Sequence, residues 1–208
     1  MSKTKHLVMP KDHMDHLYNS GNPAVRLVHR QRLSAIAAEL PAASGLRVLD
    51  AGCGEGHLLQ TLHARHPAHQ YFGADVTPVA LEMACARCPF AMLHRMDLSD
   101  LAFADGSFDV VIITEVLEHI IEFEQVTTEL LRAVKKGGRF IITFPNEVLW
   151  TVSRFLLGRR PIRVPDHINA FNPLMMKNII GLEVLKQRSL PFPLPFSLSL
   201  GCHMTFRK

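Results

Sequence analysis

The sequence predicts a doubly wound, Rossmann-like α/β fold, a mostly parallel sheet with helices on both faces. Three observations predict it. Short apolar runs of strand length alternate with stretches of helical period along most of the chain. The first such strand runs directly into a glycine-rich turn and then a helix. The first three strand ends each carry an aspartate (Asp50, Asp75 and Asp97), on the side of an open α/β sheet where ligands bind.

The elements follow in order. Asn22 and Pro23 suit the cap and first position of a helix. Its apolar stripe, Val25, Val28, Leu33, Ile36 and Leu40, ends at Pro41. Arg47 to Ala51 reads as the first strand, followed by Gly52, Gly54 and Gly56 and a helix with Leu58, Leu59 and Leu62 on one face. A second strand, Tyr71 to Ala74, ends in Asp75, and Pro78 opens the next helix. Ala91 to Met96 forms the third strand, ending at Asp97. Val110 to Ile113 is an unbroken apolar run of the kind buried on both faces. The next helix is predicted to end near Lys135-Lys136 and to be closed by Gly137-Gly138. A fifth strand, Arg139 to Phe144, ends at Pro145. Beyond it we expect a helix over Val148 to Leu157, a basic loop, a short helix from Pro173, and strands near Leu182–Arg188 and His203–Phe206. Pro191, Pro193 and Pro195 mark a stiff loop before the last strand. One domain over 1–208 accounts for the whole: an N-terminal helical segment (1–45), a core (46–145), and a cap with the final strands (146–208).

At 208 residues the chain is long enough to bury a full core. The absence of an apolar run of about eighteen residues argues against a membrane-spanning helix, and the polar start does not read as a signal peptide. The net charge of +4 is mild and spread along the chain, which speaks against a nucleic-acid face. The four cysteines show no disulfide framework, so the expected compartment is the cytoplasm. Cys85 and Cys88 form a C-x-x-C with no second pair at ligand spacing, and they read as two thiols near a helix end.

A row of carboxylates facing one crevice is costly, because they repel one another. A ligand rich in donors, such as an adenosine bearing an ammonium group, offsets that cost. The glycine turn narrows the choice. A dinucleotide site wants a small residue where His57 stands, and Glu55 would meet a pyrophosphate with negative charge. The turn therefore favours a nucleoside without phosphates.

Val48-Leu49-Asp50-Ala51-Gly52-Cys53-Gly54-Glu55-Gly56 resembles the first motif of class I S-adenosylmethionine-dependent methyltransferases. The similarity continues through Gly73-Ala74-Asp75-Val76, Met96-Asp97-Leu98, Gly106 to Val111, Glu115-Val116-Leu117-Glu118-His119-Ile120 and Lys136-Gly137-Gly138. It spans about residues 46–145. The resemblance implies a seven-stranded sheet with its last strand antiparallel, and S-adenosylmethionine as cofactor. By it, the turn with Asp50, Gly52, Cys53 and Gly54 passes the methionine moiety. Asp75 accepts from the ribose, Asp97 accepts from the adenine amine, and the backbone at Val76 and Leu98 frames the ring.

Glu115, Glu118 and His119, at i, i+3 and i+4, would share one face of a helical turn beyond the fourth strand. Their E-x-x-E-H arrangement resembles that of quinone-biosynthesis O-methyltransferases and small-RNA 2′-O-methyltransferases. It implies Glu115 and His119 near the acceptor, and a divalent cation such as magnesium on Glu115, Glu118, His119 and His167. The alternative is a helix whose His119 packs beneath the cofactor. The expected acceptor is a small molecule methylated on oxygen. The rivals are an RNA 2′-O-methyltransferase, a non-catalytic binding module and a nicotinamide oxidoreductase. From Trp150 to Arg163, apolar residues alternate with Arg154, Arg159, Arg160 and Arg163. Such a segment suits a lid helix or peripheral contact with a membrane.

Overall fold

The computed structural model describes residues 15, 18–156, 158, 160 and 166–208. Helix α1 (Pro23–Ala37) precedes strand β1 (Arg47–Ala51), helix α2 (His57–Arg65) and strand β2 (Gln70–Asp75). Helix α3 (Pro78–Arg87) and strands β3 (Met92–Arg95) and β4 (Phe108–Thr114) follow. After a single 3₁₀ turn (Leu117–His119) come helix α4 (Phe123–Ala133), strand β5 (Val134–Pro145) and helix α5 (Glu147–Leu156). Helix α6 (Pro173–Ile180), strand β6 (Glu183–Leu190), a 3₁₀ turn (Phe196–Leu198) and strand β7 (Gly201–Arg207) complete the order.

The seven strands form one sheet in the order β3-β2-β1-β4-β5-β7-β6. β7 runs antiparallel to both of its neighbours, and the pairings from β3 to β5 are parallel. The expected doubly wound sheet with an antiparallel last strand is therefore observed. Chain order reverses between β1 and β4, so the carboxyl ends of these two strands flank the switch-point crevice.

The period-two rule of strands divides the core between the two faces. Val110 and Ile112 of β4 pack with Leu33, Ile36, Leu58, Leu59 and Leu62 of α1 and α2. Val111 and Ile113 face the other way, toward Val126 and Leu130 of α4 and Met176 and Ile180 of α6. A strand enclosed on both sides must be apolar throughout, as Val110 to Ile113 is. Pro78 sits in the first turn of α3, and Asn172 caps α6 by accepting the Met175 amide at 2.9 Å. Both follow the residues that the helix ends demand.

Most expected boundaries move by one or two residues, and the main difference lies after α4. Lys135 to Gly138 do not close a helix; α4 ends at Ala133, and these residues lie within β5. Pairing of β5 with β4 jumps from Phe108↔Val134 to Val110↔Arg139, so the extra residues form a bulge. The far side of the bulge is held by the last residue of the chain: the Gly137 amide donates to the Lys208 carbonyl and the Lys208 amide to that of Gly138. A partner so distant in sequence leaves no local signal.

Candidate active site

The turn after β1 is tied to β2 by backbone geometry. The Gly52 and Cys53 amides both donate to the Ala74 carbonyl, at 2.8 and 3.1 Å. The Gly54 amide donates to Asp75 Oδ2 and the Thr77 amide to Asp75 Oδ1, both at 2.8 Å. These two bonds hold the Asp75 carboxylate at the mouth of the turn. Two glycines are required here. Gly52 has φ 77°, and a Cβ there would strike Val116 Cγ2 at 2.6 Å. Gly54 has φ 49° and open space where a Cβ would stand, leaving bare backbone for a ligand to lie against.

Asp50, at the end of β1, is 1% exposed, and its Oδ1 has no hydrogen-bond partner among the described residues. Burial, with Asp75 close by, pushes its carboxyl up to about 8. A buried carboxylate without a cation is unfavourable, so the crevice suits a positively charged ligand group. Cys53, also buried, has its thiol raised by the same burial and by the Asp50 and Asp75 charges. Asp97 follows β3 and accepts from the Ser99 amide and hydroxyl at 2.9 and 2.8 Å. The Met96 amide donates to the Asp75 carbonyl, which sets these two strand ends side by side. Val76 is half-buried and Leu98 is buried in the core.

The start of α2 is closed to phosphates. His57 stacks on Tyr18 with ring centroids 4.3 Å apart and meets Asp15 at 2.9 Å and Glu55 at 3.5 Å. Arg87 reaches Asp15 at 2.6 Å. The helix N-terminus that would receive a pyrophosphate thus faces two carboxylates.

Beyond β4 the chain turns sharply. Glu115 adopts a left-handed backbone, φ 53°, unusual outside glycine. The expected helical face of Glu115, Glu118 and His119 is therefore not formed, since only Leu117–His119 make a 3₁₀ turn. Glu115 Oε1 accepts from Thr143 Oγ1 at 3.0 Å, and Oε2 pairs with Arg32 Nη1 at 3.1 Å. With both oxygens engaged, Glu115 stands outside the cluster that the structure does bring together. Ligand atoms of Glu118, His119 and His167 lie within 4.8 Å of one another.

The segment after residue 165 assembles that cluster. Ile168 and Asn169 amides donate to the Glu118 carbonyl, and the Asn169 side chain donates to the carbonyls of Leu117 and Ile120. His119 Nδ1 lies 2.9 Å from the Asp166 carbonyl. A carbonyl only accepts, so Nδ1 carries the proton and Nε2 has the free lone pair. Burial lowers the His119 pKa, which keeps the ring neutral. His167 Nδ1 meets Glu147 Oε1 at 2.5 Å. Glu118 is 1% exposed, and neither carboxylate oxygen has a partner among the described residues. Burial first and the Glu115 charge second hold its carboxyl well above the usual range.

Known proteins place this geometry. Residues 49–142 match a family model for a methyltransferase domain. A probable S-adenosylmethionine-dependent methyltransferase of Mycolicibacterium smegmatis is 31% identical over 144 residues, 68% of this chain and 53% of that protein. The chain belongs to the class I S-adenosylmethionine-dependent methyltransferases. The mitochondrial ubiquinone biosynthesis O-methyltransferase of Schizosaccharomyces pombe is 29% identical over 170 residues, 76% of this chain and 58% of that one. The chain thus spans about half the length of these curated relatives. In fold it is similar to the magnesium protoporphyrin IX methyltransferase of Synechocystis with bound S-adenosylhomocysteine, with a TM-score of 0.74 at 20% identity. That likeness covers 95% of this chain and 93% of the other.

Three residues of this site carry little or no local signal in the sequence. Arg32 is buried, its Nη2 lies 3.1 Å from His29 Nδ1, and it is the cation that faces Glu115. Its signal was available: it stands four residues after Val28 and four before Ile36, a charge in an apolar row. Glu147 and Asn169 give no such signal, because their partners lie 20 to 52 residues away. The Leu157, Arg159 and Arg163 positions of the expected helix and basic loop lie outside the described residues.

Proposed function

We propose that this chain transfers the methyl group of S-adenosylmethionine to the oxygen of a small-molecule acceptor seated between the glycine turn and the Glu118–His119–His167 cluster. The observation that carries the cofactor half is the buried, unpartnered Asp50 beside Asp75. S-adenosylmethionine brings a sulfonium and an ammonium, and the residues present suit both charges. In this reading Gly52, Cys53 and Gly54 line the methionine moiety. Asp75, held by Gly54 and Thr77, accepts from the ribose hydroxyls, and Asp97 accepts from the adenine amine between Val76 and Leu98. A nicotinamide dinucleotide fits poorly, because its pyrophosphate would meet Glu55 and Asp15.

For the reaction, the acceptor oxygen attacks the methyl carbon in line with the breaking C–S bond, whose electron pair goes to sulfur. The hydroxyl proton must leave, and neutral His119, with Nε2 open, is the group to take it. Most of the barrier is lowered by alignment of donor and acceptor. Glu115 acts at one remove by fixing Arg32 and the end of β4. Glu118, His119 and His167 also form a ligand set for a divalent cation such as magnesium, and the orphaned Glu118 oxygens are the donor atoms it would take. A cation there would supply Lewis acidity that ionises a hydroxyl. The relative named for O-methylation in ubiquinone biosynthesis supports oxygen as the acceptor atom. The cysteine pattern supports the cytoplasm as the compartment.

The test is turnover of a panel of phenols and carboxylic acids with S-adenosylmethionine, with and without chelator, magnesium and manganese. Methylated product with some acceptor, lost on His119→Ala, supports the reading. Loss with chelator and recovery with metal assigns the cation, while chelator-insensitive turnover leaves His119 as base. No product with any acceptor despite cofactor binding favours a binding module instead.

A further inference from the structure

Helix α5 leaves a large apolar face exposed. A surface helix ordinarily turns its apolar stripe inward and its charges to water. Here no residue of α5 is fully buried, and its exposed positions are Val148, Val152, Phe155 and Leu156. They are 72%, 45%, 65% and 75% exposed. The spacing i, i+4, i+7, i+8 places all four on one face, while Glu147, Leu149, Trp150, Thr151, Ser153 and Arg154 are partly covered. Ile168, next to the His167 that meets Glu147 at the start of α5, is exposed as well. Single exposed apolar residues need no explanation, but a contiguous face of large ones marks an interaction site.

Charge names the partner. Between Glu147 and Asp166 the sequence contains Arg154, Arg159, Arg160 and Arg163 and no acidic residue. Apolar side chains on one helical face, in a stretch of sequence whose only charged residues between Glu147 and Asp166 are arginines, match an anionic bilayer surface, with acyl chains below and phosphates above. No helix among the described residues is long and apolar enough to cross a membrane, so such contact is peripheral. We propose that the exposed apolar face of α5 docks this protein on an anionic lipid bilayer. The helix opens at Glu147, whose carboxylate touches His167. Given the acceptor site proposed above, docking would place that site at the lipid surface and favour apolar, membrane-dissolved hydroxyl acceptors. The docking itself does not depend on that reading.

The experiment is flotation of the full chain with phosphatidylcholine vesicles, alone or containing phosphatidylglycerol. It needs neither cofactor nor turnover, so its failure and the failure of the proposed reaction are distinguishable. Wild type is expected to float with the anionic vesicles, and less at high salt. The Phe155→Glu/Leu156→Glu variant is expected to lose roughly tenfold or more of the bound fraction while its circular dichroism and melting temperature stay unchanged. The Arg159→Glu/Arg160→Glu variant is expected to lose the preference for anionic lipid. Failure of wild type to float with anionic vesicles overturns the proposal, as does unchanged flotation of the Phe155→Glu/Leu156→Glu variant. A dimer in sedimentation that this variant makes monomeric, with no vesicle binding, assigns the face to a second copy and likewise overturns it.

Discussion

The two sides of the switch-point crevice are built differently. On the β1–β3 side, the contacts that fix the strand-end aspartates are short in sequence or bridge adjacent strands: Asp75 holds Gly54 and Thr77, and Asp97 holds Ser99. On the β4 side they reach across the chain: Arg32 to Glu115, His119 to Asp166, Glu147 to His167 and Asn169 to Leu117. The first side is a rigid local frame that can be inherited as one motif. The second is an assembly of distant segments, each free to change with the acceptor. On the reading proposed above, cofactor recognition and acceptor choice are thereby separated within one crevice.

Substitutions should expose that separation. The largest effect is expected at Asp75. Asp75→Ala removes the acceptor of two backbone amides and of the proposed ribose contact, each a charge-assisted bond of about 1.5–3 kcal/mol. S-adenosylmethionine affinity should fall about 100-fold in calorimetry, and the melting temperature should fall with it, because the Gly54 and Thr77 amides lose their acceptor. A large loss of stability with intact binding would show that Asp75 belongs to the frame alone.

Next is a pH dependence carried by Asp50. Its folded-state pKa is raised to about 8 by burial and by Asp75, and a cationic ligand favours the ionised form. Binding should therefore tighten as pH rises from 6 toward 8, by up to about tenfold per unit, and level off above 8. The unliganded protein should behave oppositely: a group whose pKa is raised on folding contributes stability at low pH that is lost as pH rises through the folded value. Asp50→Asn should flatten both slopes.

The far side should respond in stability first. Arg32→Met leaves Glu115 facing a buried apolar residue. Breaking a fully buried pair costs about 3–5 kcal/mol, and partial exposure of Glu115 reduces this to about 2 kcal/mol. Adding Glu115→Gln should recover much of the loss, as a double-mutant cycle in denaturant would measure. Cofactor affinity should change least in these variants.

The smallest effect belongs to Glu118→Gln. Its carboxyl is raised by burial and by Glu115, so the wild-type group destabilises the metal-free fold increasingly as pH rises. The variant should melt a few degrees higher than wild type at pH 9 without metal, about 1 kcal/mol, with the gap closing toward pH 5. Any magnesium or manganese binding should be lost with it.

The same division explains how much could be read from the amino acids. Strands and the aspartates at their ends were legible because apolar runs, prolines and glycines act locally: β1 begins and ends as expected, and Pro78 opens α3. The bulge at Lys135 to Gly138 was not, because it depends on Lys208 at the far end of the chain. The E-x-x-E-H spacing suggested one helical face, yet the left-handed backbone at Glu115 turns that carboxylate to Arg32 instead. His167 could be singled out by type but not by partner, since Glu147, which it meets, lies 20 residues away. Periodicity placed a helix at α5, but the outward turn of its apolar face depends on what the rest of the fold leaves uncovered.

The central claim is that the β1–β3 frame holds a cationic sulfur nucleoside. Calorimetric titration with S-adenosylmethionine, S-adenosylhomocysteine and NADH tests it most directly. We expect binding of both sulfur nucleosides, tighter at pH 8 than at pH 6, and none of NADH. Binding of NADH without either sulfur nucleoside would contradict it.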